Sequence, residues 1–176
     1  KTVGDLFNEY IAQLKLEGRL GYALSVQQVY NSLYKYKGHL DIYFSEIDVN
    51  WLKSYEVWLR CSKLADNTIG IRFRTLRAVY NLALTEGLVK PDCYPFKKYK
   101  VSKLHKETAK RAITKEQMKQ VIEYDTSGGR FYKRLAVDMF TFSYLMGGIN
   151  FTDMACLTGK NIEGERLVYV RQKTKK

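Results

Sequence analysis

The sequence predicts a mainly α protein: a four-helix bundle over residues 1–90, a basic linker over 91–111, and the incomplete opening of an α+β domain over 112–176. Three observations carry this. Apolar residues recur at helical spacing in four consecutive runs before residue 90. Both prolines, Pro91 and Pro95, then fall in one lysine-rich stretch. A β-branched, alternating run appears only near the end, at Arg166–Val170.

Bulk composition narrows the function. With 45% hydrophobic residues the chain can build a real core and is not disordered. The formal net charge of +12 favours a polyanionic partner, nucleic acid before membrane. The three cysteines, Cys61, Cys93 and Cys156, lie far apart, and no CxxC is present. They read as free thiols in a reducing cytoplasm. His39 and His105 stand near no cysteine, so no metal site is expected. No apolar run reaches membrane length and no signal peptide opens the chain, which agrees with a cytoplasmic protein. The first residue is Lys1, so the chain reads as part of something longer.

In order, Thr2 and Asp5 cap a first helix to Leu16, whose stripe is Leu6, Phe7, Tyr10, Ile11 and Leu14. Gly18 and Gly21 end it. A second helix runs from about Ala23 to Lys37, with Val26, Val29, Tyr30 and Leu33 inward and Gln28, Asn31 and Lys35 outward. Residues 39–47 connect, anchored by Leu40, Ile42, Phe44 and Ile47. Asp48 caps a third helix, Val49 to Leu59, which buries some subset of Trp51, Leu52, Tyr55 and Trp58. The fourth helix is the long one, Leu64 to Val89, capped by Asp66 or Asn67 and stopped by Gly87. At 100° per residue, Ile69, Phe73, Leu76, Tyr80 and Ala83 share one face. Asn67, Gly70, Arg74, Arg77 and Asn81 share the opposite face, which suits either water or the phosphates and base edges of DNA.

Lys90–Arg111 reads as an extended basic linker. Proline blocks helix continuation, and clustered lysines (Lys97, Lys98, Lys100, Lys103, Lys106, Lys110) suit a segment crossing a DNA backbone. Thr114 and Gln117 then form a capping box, with Ile113 and Met118 as its staple. Arg130 to Met146 is apolar around most of its circumference and is expected at the centre of its domain. Gly147 and Gly148 break it, Asn150 or Thr152 starts a short helix, and Arg166–Val170 reads as a strand.

The motif from Asn67-Thr-Ile through Leu76-Arg-Ala-Val-Tyr-Asn to Ala83, the run Lys110 to Gln117, the F-x-D-M-x-x-L of Phe151 to Leu157, and a strand leading into Arg171-Gln-Lys-Thr-Lys follow one another in that order. The order resembles the tyrosine recombinase (phage integrase) family, and within it the integrases of Bacteroides-type mobile elements. The likeness covers nearly the whole chain; each motif alone is weak, and the order is the specific part. It implies a SAM-like four-helix core-binding domain to about residue 105 and the start of a catalytic domain from about 108.

That resemblance further implies a protein that cuts and rejoins double-stranded DNA through a tyrosine nucleophile and a 3′-phosphotyrosine, with no metal or nucleotide. Two arginines would neutralise the phosphorane and a hairpin lysine would protonate the leaving oxygen. Lys173 falls at the hairpin lysine, with Arg171 and Lys175 as register alternatives. Asn150 stands where the first arginine is expected; Arg130, Arg134 and Arg171 are other arginines that could reach a phosphate. The H-x-x-R motif and the nucleophile would lie beyond residue 176, so these residues are expected to bind DNA without cleaving it. The family works as a tetramer on two duplexes; a fragment without its C-terminal tail could be monomeric. The expected DNA contacts are Gln28, Asn31, Lys35, Arg74, Arg77, Lys97, Lys98, Lys100 and Lys103, with the second and fourth helices toward the major groove. The competing reading is a helical DNA-binding or adaptor module with no catalytic heritage. An RNA-binding protein ranks last, because no RNP-like strands are present.

Overall fold

A computed structural model describes residues 1–109 and 112–172. The chain divides into two compact units, Lys1–Thr108 and Ala109–Lys176, each described by itself.

The first unit is helical. α1 (Val3–Leu16) opens on the expected capping box: the Asp5 amide donates to the Thr2 hydroxyl at 3.2 Å, and the Thr2 amide donates to the Asp5 carboxylate at 2.8 Å. Two further free amides of this helix end find the connector instead. Val3 N–H donates to the Ile42 carbonyl at 2.8 Å, and Gly4 N–H to the Leu40 carbonyl at 3.0 Å. Gly4 is needed there, since a Cβ would lie 3.2 Å from both Leu40 Cβ and Leu40 O. α2 (Leu20–Lys37) starts three residues before the expected Ala23. Gly18, at φ +72°, completes the reversal unaided, which leaves Gly21 inside the helix.

The connector buries Leu40, Ile42, Phe44 and Ile47 as predicted, with a 3-10 turn at Phe44–Glu46. α3 (Val49–Cys61) is capped by Asp48, which accepts from the Trp51 amide at 2.7 Å. It buries Leu52, Tyr55 and Leu59, while Trp51 and Trp58 are only partly covered. α4 (Asp66–Thr85) buries its entire predicted stripe, Ile69, Phe73, Leu76, Tyr80 and Ala83. Its cap differs from expectation. Ala65 is the N-cap and no side chain bonds there. Asp66 and Asn67 lie inside the first turn, because both side chains are drawn to the segment that follows Tyr99, as described below.

That segment is the main correction to the sequence reading. Residues 91–104 are not an extended linker but three 3-10 turns, Pro91–Cys93, Pro95–Lys97 and Val101–Leu104. Each proline opens a turn at its first position, where no amide is needed. Phe96, Tyr99, Val101 and Leu104 are buried in the bundle core. Tyr99 stacks on Phe73 at 4.9 Å between ring centroids, and Phe96 meets the edge of Tyr80 at 5.9 Å. Gly70 lets the turn sit flush on α4: a Cβ there would come within 3.3 Å of Leu104 O and 3.4 Å of Leu104 Cβ.

In the second unit, α5 (Lys115–Ile122) carries the predicted capping box between Thr114 and Gln117 and buries Met118, while Ile113 stays half-exposed. α6 (Phe131–Leu145) is the helix on which the others of this unit pack, as expected, yet none of its residues is buried and Phe131 is 73% exposed. α5 and α7 (Phe151–Ala155) pack on it, but helices of eight and five residues cannot enclose a fifteen-residue cylinder. The expected strand Arg166–Val170 is shorter. β1 (Ile162–Glu163) and β2 (Arg166–Leu167) pair antiparallel, with Ile162 opposite Leu167 and a turn at Gly164. Past Leu167 the backbone is held by Asn161: the Val168 amide donates to its carbonyl at 2.8 Å, and its side-chain amide donates to Val168 O at 2.9 Å.

Candidate nucleic-acid interface

On α2, Gln28, Asn31 and Lys35 sit at i, i+3 and i+7 and share one exposed face. The helix buries Val26, Val29 and Leu33 on its other side, and that burial fixes this rotation. The exposed face forms one wall of a groove of about 340 Å³ whose other side is made by Trp58 of α3, Ser62 at its C-cap and Arg72 of α4. A broader hollow on the other flank of α2, lined by Tyr30 and Tyr34, shares Asn31 and Lys35. Three sequence-predicted contacts therefore stand together around one concavity.

The fourth groove residue of interest, Arg72, was missed by sequence reasoning. It lies two residues from Arg74 and so points about 160° away from it on an α-helix. It borders the apolar stripe of α4, about 60° around the helix from Ile69. It lines the groove together with Ser32, whose hydroxyl pairs with the buried Tyr55 OH at 2.7 Å. Burial pushes the Tyr55 phenol up in pKa, with Ser32 and Arg72 pulling the other way.

Arg74 and Arg77 are exposed, one turn apart, on the opposite side of α4 from the groove. The structure does not bring them together with Gln28, Asn31 and Lys35. Two members of the polar stripe that was read with them are covered. Gly70 is buried under Leu104, and Asn67 makes two hydrogen bonds to the Lys106 backbone, at 2.8 and 2.9 Å.

The lysine run divides in the same way. Lys97, Lys98 and Lys100 are exposed and make no ion pair among the described residues. Lys103, expected as a DNA contact, instead bonds the Glu56 carboxylate at 2.7 Å and lies over the Tyr99 ring at 4.3 Å. Glu56 also accepts from Tyr99 OH at 2.5 Å and from Arg60 at 3.0 Å. Arg60 continues to Asp66 at 2.6 Å, which Lys106 joins at 2.5 Å. Burial raises the Glu56 pKa, but the donors Lys103, Tyr99 and Arg60 outweigh it and hold the carboxyl below its ordinary value. Lys106 and Arg60 lower Asp66 likewise.

In the second unit Asn150 is the N-cap of α7. Its side chain accepts from the Asp153 amide at 3.0 Å, and its amide group donates to the Asp153 carboxylate. Asp153 is buried, accepts from the Gln172 amide at 2.9 Å, and has Arg171 at 3.9 Å. Lys173 and Lys175 lie outside the described residues. Among the described residues no cluster of His, Cys, Asp and Glu could hold a metal ion, and no helix is long and apolar enough to cross a membrane. Cys61, Cys93 and Cys156 are free and exposed.

Neither the curated proteins nor the solved structures give a match to this chain. A family model for the phage integrase SAM-like domain matches residues 2–101, a span that includes all four helices of the first unit and runs through Tyr99 into the last 3-10 turn. With more than half of its residues within that match, the chain belongs to the phage integrase SAM-like domain family.

Proposed function

We propose that residues 1–108 are the DNA-binding core domain of a site-specific tyrosine recombinase of the mobile-element integrase type. The full-length protein would cut and rejoin double-stranded DNA through a 3′-phosphotyrosine. The observation that carries the reading is the groove beside α2. It gathers two amide side chains, Gln28 and Asn31, with the cations Lys35 and Arg72, in a domain of the integrase family. Amides and guanidinium groups read base edges bidentately, and clustered cations gain affinity by releasing counterions. Arg74, Arg77, Lys97, Lys98 and Lys100 would add backbone contacts that carry no sequence information. Lys103 is assigned to Glu56 rather than to DNA. The region from Ala109 onward would open the catalytic domain, with Asn150 in the place of the first arginine and Lys173 as the hairpin lysine. Neither His39 nor His105 starts an H-x-x-R motif, so these 176 residues would bind DNA without forming a covalent adduct.

The test is binding of the chain to a fluorescein-labelled 30-bp duplex of mixed sequence at several salt concentrations. Wild type should bind with a clear salt slope. Asn31→Ala with Lys35→Ala should weaken binding roughly ten-fold or more, and Arg74→Ala with Arg77→Ala should lower the slope by about two. Absence of binding at low salt would overturn the DNA reading, and a covalent adduct on a nicked suicide duplex would overturn the prediction of inactivity.

A further inference from the structure

We propose that the hollow on the far flank of α2 is a seat for one unpaired nucleobase of DNA, with the Tyr34 ring as the platform on which the base stacks. This rests on the DNA-binding reading and adds a substrate class to it: DNA with a base outside the helical stack, as distinct from a perfectly paired duplex.

The hollow measures about 620 Å³ and is lined by Tyr30, Asn31, Tyr34, Lys35 and Gly38. Tyr30 and Tyr34 line it and not the groove across the helix. The two rings stand one helical turn apart, with centroids 6.4 Å from each other and planes 17° from parallel. Tyr30 is anchored inward, where it meets the fully buried Phe7 ring edge-on at 6.2 Å. Tyr34, at the outer end of this row, is 51% exposed, so ring surface is left for another flat group. A row of rings running from core to surface holds its outer member in place before anything binds. Tyrosine also has few torsions to freeze, so a contact made on it loses little entropy.

The polar rim says what the flat group is. Lys35 stands beside the rings, Lys37 follows it in the last turn of α2, and no carboxylate lines the hollow. The Asn31 side-chain carbonyl accepts from Gln27 at 3.1 Å, so what Asn31 offers the hollow is its amino group, a donor suited to the ring nitrogens and carbonyls of a base. An apolar peptide would leave that donor and the lysine charge unmatched, and a second copy of this face would set like charges against each other. A nucleotide matches all three together: its base covers the ring, its edge takes the donor and its phosphate takes the cation. Bases inside a duplex have both faces covered by their neighbours, so only a base outside the stack can present a face to Tyr34. The seat thus separates unpaired from paired DNA without reading sequence, because every base has a π-face.

The experiment uses the full chain and two fluorescein-labelled mixed-sequence duplexes that differ only by one extrahelical thymine, with affinity read by anisotropy. Wild type should bind the bulged duplex about five-fold or more tighter than the paired one. Tyr34→Ala should lose that preference while keeping its affinity for the paired duplex. Tyr34→Leu, which retains apolar bulk without a π-face, should do the same, and Tyr34→Phe should keep the preference, since stacking needs the ring and not the hydroxyl. Placing 2-aminopurine at the bulge gives a second readout: stacking should quench its fluorescence with wild type and Tyr34→Phe but not with Tyr34→Ala or Tyr34→Leu. If wild type binds both duplexes equally, the base seat is wrong while DNA binding stands. If Tyr34→Ala and Tyr34→Leu keep the preference and the quenching, the bulge is recognised elsewhere and the seat is wrong. If wild type binds neither duplex at low salt, the DNA-binding reading falls first and the seat falls with it.

Discussion

Replacing Asn67 by Ala separates two roles that look alike in the sequence. As a member of a DNA-facing polar stripe, Asn67 would matter for affinity and not for folding. In the structure its amide group clasps the backbone of Lys106 from both sides. Asn67→Ala should therefore lower stability by about 1–2 kcal/mol, as for two partly exposed hydrogen bonds, with little change in the DNA salt slope. Thermal melts alongside the anisotropy series decide between them. The same residue shows where sequence reading stops. Helical periodicity places Asn67, Gly70, Arg74 and Arg77 on one face correctly, but it cannot show that residues 104–106 return to cover half of it. Arg72 shows the converse: it lies about 160° from Arg74 and lines the groove with residues of α2, which the periodicity of α4 alone does not show.

At the level of elements, the four helices, their buried stripes and the caps at Thr2, Asp48 and Thr114 were legible, because each is written within a few neighbouring residues. The segment 91–108 was not. Its lysines and prolines dominate its composition, while the residues that matter for folding, Phe96, Tyr99, Val101 and Leu104, have no regular period because 3-10 turns are short. Their partners, Phe73 and Tyr80, lie about twenty residues away. Each buried side chain of this kind is worth about 1.5–3 kcal/mol. A domain has only about 5–15 kcal/mol in all. A protein ended after Lys90, where composition alone would place the boundary, should lose most of its margin and melt broadly or not fold. One ended after Thr108 should unfold in a single cooperative transition. Circular dichroism melts of the two lengths check this. The central place expected of α6 is met in that α5 and α7 both pack on it, while its apolar circumference needs more cover than these two short helices give.

For the molecule as a whole, the ion-pair network on the 99–106 segment ties stability to pH. Glu56 and Asp66 both have folded pKa values below their ordinary 4.5 and 3.8. The stabilisation is therefore present above those values and is lost as pH falls through the lower, folded ones. The melting temperature of residues 1–108 should drop between about pH 5 and pH 3, and Glu56→Gln should make that part of the profile flatter while lowering the plateau at neutral pH. A profile unchanged by Glu56→Gln would remove Glu56 from the account. The network also revises what a net charge of +12 means. Lys103 and Lys106 are matched by acids, so the field available to steer a polyanion arises more from α2, Arg72 and residues 97–100 than from the lysine run as a whole.

The same clasp has a mechanical side. A force applied to the chain at Thr108 would enter the four-helix bundle through α4. It reaches first the Lys106 backbone on Asn67, then the Lys106 and Lys103 ion pairs, then Leu104 seated over Gly70 and Tyr99 stacked on Phe73. These contacts lie on the first turns of α4 and, through Glu56, on α3. The segment thus hands a tug arriving from beyond residue 108 first to contacts at the surface, at Lys106 and Lys103, and then to Leu104 and Tyr99 in the bundle core.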